Sequence, residues 1–166
     1  MLDRLPKEIS GLLESQGVHW PALRQVIPPT DLSRPYSRQI LGLSADCEIM
    51  MAGWNPGMEC APHDHGASGG YVLFLSGDFV EKHYELRSGV LRETTSRQIA
   101  AGQIVKIQPG EIHSCFSRFG GVSLHIYTPP IEGMRVFDIV NNQTLTVHAS
   151  AGAWLPQPEE MILSRE

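Results

Sequence analysis

Two histidines at alternate positions, His63 and His65, stand in Gly57-Met58-Glu59-Cys60-Ala61-Pro62-His63-Asp64-His65, just before the apolar run Tyr71-Val72-Leu73-Phe74-Leu75. On an extended strand, positions i and i+2 face the same way, so both imidazoles project side by side while Asp64 points away. Two imidazoles on one face are a ready pair of metal ligands. A third ligand is expected from Pro109-Gly110-Glu111-Ile112-His113, where a turn again leads into a histidine.

A second chemical pattern lies in Val122-Ser123-Leu124-His125-Ile126-Tyr127-Thr128-Pro129-Pro130. Ser123, His125 and Tyr127 alternate with Val122, Leu124 and Ile126, which is the period of a strand with one polar and one apolar face. If the apolar face packs under another layer, the polar face lines the interior, where polar groups need partners. A Ser–His–Tyr row meets that need by bonding to itself, and it holds the tyrosine hydroxyl in a fixed place.

These residues must be carried by strands. Short β-like runs alternate with Gly, Pro and Asn turns from residue 35 onward: Ser37–Leu43, Glu48–Trp54, Tyr71–Leu75, Val80–Leu86, Gln103–Gln108, Val122–Tyr127 and Thr144–His148. Close spacing of this kind indicates an antiparallel sandwich or barrel, and Gly77-Asp78 and Asn141-Asn142 are turn signals. Residues 1–30 read as a helical cover, with Leu5, Ile9, Leu12 and Leu13 on one stripe and a stop at Gly17. Pro21–Ile27 is expected to form a second short helix, ended by Pro28-Pro29. The tail, residues 151–166, reads as a surface extension.

A length of 166 residues suggests one domain, large enough to bury a core without disulfides. The net charge of -5 with scattered Lys and Arg argues against a nucleic-acid or polybasic membrane surface. The three cysteines, Cys47, Cys60 and Cys115, have no CxxC spacing; reduced thiols and a cytoplasmic setting are expected. Cys60 and Cys115 read as buried structural thiols. The first residues lack the apolar core of a signal peptide, and no run approaches the ~20 apolar residues of a membrane span.

The spacing from Gly57 through His63 and His65 to Gly70 and Gly77 resembles the first signature of the cupin superfamily. Gly102 to Gly110 followed by His113 resembles the second, with Ser117 where an asparagine is common. The resemblance implies a mainly β fold, a small cupin-type β-barrel (jelly roll) behind short N-terminal helices, with a metal held by His63, His65 and His113. Where many cupins place a glutamate ligand this chain has Gly70, so the ligand set would be three neutral imidazoles. Such a set leaves the charge of a divalent metal uncompensated and attracts an anionic thiolate or carboxylate. Open positions would remain for substrate and dioxygen.

The order Tyr-x-Arg (Tyr36, Arg38), His-x-His, His113, then Ser-x-His-x-Tyr-x-Pro-Pro, further resembles the cysteine dioxygenase family of thiol dioxygenases. Phe137-Asp138 and the hairpin into Leu145–His148 continue the likeness, which covers roughly residues 35 to 150. It implies Fe(II) on the three histidines and oxidation of L-cysteine by dioxygen to cysteine sulfinic acid. Arg38 would pair with the substrate carboxylate as a bidentate fork, with Tyr36 beside it. Tyr127 would stand near substrate and oxygen, oriented by His125 and Ser123, and the Thr128–Pro129 bond would be cis.

Animal members carry a cysteine, thioether-linked to the active-site tyrosine, where this chain has Gly70. An unmodified Tyr127 and a bacterial-type enzyme are therefore implied. Met134 replaces a second pocket cysteine of those members and leaves the preferred thiol open. The alternatives are a dioxygenase for another small carboxylated thiol such as 3-mercaptopropionate, whose enzymes tend to carry glutamine at the position of Arg38 (Gln39 is adjacent), or a non-catalytic metal-binding cupin sensor. A zinc cupin of the isomerase type is weakened by the missing ligand at Gly70.

Overall fold

Alternating sequence becomes a sheet with two differently covered faces. A computed structural model describes residues 5–23, 26, 28–29, 31–156 and 161–166. Helices α1 (Lys7–Ser15) and α2 (Trp20–Leu23) precede β1 (Tyr36–Leu43), β2 (Glu48–Trp54), β3 (Gly69–Ser76), β4 (Asp78–Arg87), β5 (Val90–Ala100), β6 (Ile104–Ile107), β7 (Ile112–Ser117), β8 (Gly121–Thr128), β9 (Arg135–Asp138), β10 (Gln143–Val147) and β11 (Ile162–Arg165). The fold is mainly β, as expected, and every strand pairing among these elements is antiparallel.

One five-stranded sheet runs β1-β2-β8-β3-β6, and two three-stranded sheets run β5-β4-β7 and β11-β10-β9. The outer face of the large sheet presents Ile49, Met51, Leu73, Leu124 and Ile126 to Ile9 and Leu13 of α1 and Leu23 of α2. The apolar stripe of α1 therefore has a specific purpose: it lets the odd-phase residues of β2 and the even-phase residues of β8 leave water. The inner face presents Ala52, Trp54, Val72 and Phe74 to Phe79, Val136, Leu145 and Val147 of the smaller sheets. The polar row of β8 points into this second, inner core.

The two small sheets are stitched by the segment around His63, with Pro62 O and Asp64 N–H bonding to β9. His63 bridges His113 of β7 on one side and Val136 of β9 on the other. This alters one expectation, because His63 and His65 do not sit on a regular strand. His63 is extended and paired, and the chain turns just after His65, with Ser68 N–H donating to His65 O at 3.0 Å.

Four strands escape the periodic signal. β5, for example, is exposed along nearly its whole length and offers no alternation to read. It exists because Ser88 and Gly89, both at positive φ, close a tight hairpin onto β4. The tail also differs from a surface extension. Ala151 and Ala153 are buried, and β11 adds an edge strand to β10. In the expected second helix, Arg24, Gln25 and Ile27 lie outside the described residues, as do Pro158 and Glu159-Glu160 of the tail. No helix among the described residues is long and apolar enough to cross a membrane.

Candidate metal centre

The three histidines are placed by backbone pairing before their side chains meet. His63 N–H donates to His113 O at 2.9 Å and His113 N–H donates to His63 O at 3.0 Å. Residues that exchange both bonds across an antiparallel pair present their side chains on one face. His65 is brought in by its neighbour. Asp64, fully buried, points the other way and takes an ion pair from Arg135, whose Nε lies 2.8 Å from Oδ2. The ring centroids are 4.6 Å apart for His63–His113, 4.9 Å for His63–His65 and 5.2 Å for His65–His113. Together the rings offer ligand atoms within 4.8 Å of one another.

Burial holds His63 and His65 as neutral rings. Burial, reinforced by the facing His113, pushes His63 down to about 3. Burial and the adjacent His63 hold His65 well below the usual imidazole range. His63 Nδ1 lies 2.9 Å from Ala61 O, which sets that nitrogen as the donor and leaves Nε2 as the lone pair. His113 Nδ1 likewise lies 2.9 Å from Glu81 Oε1, while its buried Nε2 has no hydrogen-bond partner. A buried nitrogen lone pair with no donor is costly unless a cation meets it. The donor set therefore fits a divalent metal of the borderline kind that imidazole favours.

Glu81 is a residue beside His113 that the motif spacing does not reveal. Its side chain on β4 is 2% exposed. Arg97 of β5 reaches it, with Nε at 2.6 Å, and His83 Nε2 stands at 3.2 Å. Burial opposes ionisation, but the bonds to His113 and Arg97 outweigh it and bring the carboxyl down to about 2. An anionic partner behind a ligating imidazole fixes its orientation and raises its basicity. The available signal was phase: Glu81 shares the buried phase of Phe79 on β4, where a charged residue needs a reason.

The β8 row forms as expected. Ser123 Oγ lies 2.7 Å from His125 Nε2, His125 Nδ1 lies 2.9 Å from the Tyr127 hydroxyl, and that hydroxyl is 3.4 Å from His65 Nε2. Burial keeps the Tyr127 phenol well above its ordinary value, so it stays protonated. The Thr128–Pro129 bond is cis.

Tyr36 and Arg38 face the same pocket as the three histidines, together with Met134, Tyr127 and His125. Gln39 is exposed on the opposite side of β1, so Arg38 is the residue that reaches inward. Arg38 Nη2 donates to Ala149 O at 2.7 Å, and Ala153 N–H donates to the Tyr36 hydroxyl at 2.8 Å. Ala149, just ahead of the tail, and Ala153 within it thus hold both side chains at the pocket wall, a role that the composition of this stretch does not announce.

Gly70 lies opposite Tyr127 in the β3–β8 ladder. A Cβ there would fall 1.9 Å from Ile126 O, so no side chain fits on this backbone. Cys60 and Cys115 are buried and free. Cys115 N–H contacts Cys60 Sγ at 3.1 Å, and burial pushes the Cys60 thiol up to about 12. Both are unreactive thiols, as their burial demands.

A family model described as cysteine dioxygenase type I matches residues 30–140, which spans every site residue named above except Ala149 and Ala153. Solved structures share the fold at low identity. The TT1209 protein of Thermus thermophilus aligns with a TM-score of 0.53 at 16% identity, covering 64% of this chain and 93% of that one. A protein with a double-stranded β-helix domain from Klebsiella pneumoniae gives 0.51 at 17% identity, over 69% and 97%. KdgF from Halomonas sp. gives 0.50 at 15% identity, over 60% and 84%.

Proposed function

Because the chain belongs to the cysteine dioxygenase type I family, we propose that it is an iron-dependent thiol dioxygenase that oxidises L-cysteine to cysteine sulfinic acid. The observation that carries this reading is one pocket holding three clustered imidazoles, a protonated tyrosine and an inward arginine. His63, His65 and His113 would hold Fe(II), which would bind the thiolate and activate dioxygen. The stoichiometry closes without a further reductant: a thiolate and one dioxygen give one sulfinate, both oxygens coming from dioxygen.

The chain's own residues do the positioning. Arg38 receives the substrate carboxylate at the wall of the pocket that the imidazoles share. Its guanidinium is already aimed by the Ala149 carbonyl, so little side-chain freedom is lost on binding. Tyr36 lies on the same face of β1 and is fixed by Ala153. Tyr127 offers its hydroxyl next to His65, where it can bond to an anionic atom of the substrate. Met134, only 4% exposed, closes the apolar side and keeps water from the reacting sulfur. Three buried free cysteines fit a reducing compartment such as the cytoplasm.

The test is anaerobic reconstitution with Fe(II), then oxygen uptake against cysteine, 3-mercaptopropionate and cysteamine. Stoichiometric sulfinate from cysteine is expected. Faster turnover of 3-mercaptopropionate would move the assignment to that thiol, and thiol binding without oxygen uptake would make the protein a sensor.

A further inference from the structure

The hydrogen-bond row on β8 does not begin at Ser123. Trp54 of β2 packs its ring on Tyr36 and Phe79, at centroid distances of 4.7 and 5.6 Å. Its Nε1 donates to Ser123 Oγ at 2.8 Å. An indole N–H can only donate, so the direction of this first bond is not open to choice.

The direction propagates. Ser123 is fully buried, and the other partner of its hydroxyl is His125 Nε2. If His125 instead donated from Nε2, Ser123 Oγ would receive two N–H groups and its own hydrogen would be buried without an acceptor. Buried donors in native proteins avoid that state. The satisfied arrangement has Ser123 donating to His125 Nε2. Burial, with His113 facing it, pushes His125 down to about 3, so the ring is neutral. A neutral ring accepting at Nε2 carries its hydrogen on Nδ1, and Nδ1 donates to the Tyr127 oxygen at 2.9 Å. The Tyr127 hydrogen must then point off the row, toward the side where His65 stands at 3.4 Å.

We propose that Trp54 is a positioning residue that sets the polarity of the Trp54–Ser123–His125–Tyr127 row, so that Tyr127 meets the pocket as a hydrogen-bond donor. In the reversed polarity Tyr127 would spend its hydrogen on His125 and present only lone pairs to an anionic substrate. The catalytic consequence rests on the thiol dioxygenase reading; the polarity itself does not.

The test reads the tautomer directly. Long-range proton–nitrogen NMR of the zinc-loaded, diamagnetic protein is expected to show His125 protonated at Nδ1. Trp54→Phe keeps a ring against Tyr36 and Phe79 but frees the Ser123 rotor. It is expected to bring in the Nε2–H form and to lower kcat about tenfold, the worth of one hydrogen bond, with thiol KM and bound metal unchanged. His125 protonated at Nε2 in the wild type overturns the proposal, even if the variant fails to fold. So does a Trp54→Phe protein with wild-type tautomer and wild-type kcat. A wild type with the Nδ1 tautomer but no oxygen uptake would uphold the polarity and sink the dioxygenase reading alone.

Discussion

His63 and His113 exchange both backbone hydrogen bonds, at 2.9 and 3.0 Å, across the seam between two three-stranded sheets. The pairing of these two candidate ligands and the joining of the two sheets are therefore one structural event. Replacing either side chain leaves the backbone bonds in place. His113→Ala is expected to fold, to lose most bound divalent metal and to lose all oxygen uptake. Metal analysis with circular dichroism checks this, and full iron occupancy in that variant would refute the assignment of His113.

Glu81→Gln is expected to weaken metal binding by about 10–100-fold, the usual cost of losing a carboxylate behind a ligating histidine. The amide still accepts from His113 but carries no charge, and it turns a donor toward Arg97. Chelator competition measures the affinity without reference to turnover. An unchanged affinity would mean that the Glu81–Arg97 pair serves only the fold.

Acid should unfold the metal-free protein in two overlapping stages. His63 and His125 have folded values near 3 against an ordinary 6.5, so stability is full above about 6.5 and falls as pH drops toward 3. Glu81 is depressed from 4.5 to about 2, so its contribution is full above about 4.5 and is lost on the way down to 2. Denaturant titrations from pH 7 to pH 3 should show falling stability throughout. In Glu81→Gln the lower part of the slope should flatten. A flat profile between pH 6.5 and 4.5 would contradict the buried, neutral state of the histidines.

Gly70→Ala or Gly70→Cys must push β3 and β8 apart at Tyr127, because the new Cβ meets a carbonyl oxygen and not a flexible side chain. A loss of at least ~1–3 kcal/mol is expected, in the range for overpacked sites, read as a fall in Tm. Intact mass should match the bare sequence in the wild type, with no thioether at Tyr127. A loss of two hydrogens mapped to a Tyr127 peptide would show that another cysteine supplies the link.

Arg38→Ala should damage cysteine turnover by roughly ten- to more than a hundredfold in kcat/KM, the worth of a charge-assisted bond of ~1.5–3 kcal/mol. Cysteamine, which lacks the carboxylate, should be a poor substrate for both proteins and lose little further. Lysine at position 38 should rescue in part, keeping the charge but not the fork. Equal losses for both thiols would mean that Arg38 serves chiefly to hold the Ala149 carbonyl and the tail.

The local chemistry was legible in the chain because strand period is a local property. Alternation alone put Ser123, His125 and Tyr127 on one face, and Tyr36 with Arg38 on one face of β1. A regular strand is expected under His63 and His65 on the same ground; only His63 is paired and the chain turns after His65, yet the rings converge because Asp64 is drawn outward by Arg135. The polar strand β5 left no periodic trace, and neither did the buried role of the tail.

What the sequence by itself determined is the candidate ligand types, the phase of the polar row and the helical stripe that covers its back. Only the tertiary structure decided which distant groups complete them: Glu81 and Arg97 behind His113, Trp54 behind Ser123, Ala149 and Ala153 behind Arg38 and Tyr36. The physical reason is that a side chain's phase follows from its immediate neighbours along the chain. Its hydrogen-bond partner is fixed by strand pairing across tens of residues, where register and not spacing brings the atoms together.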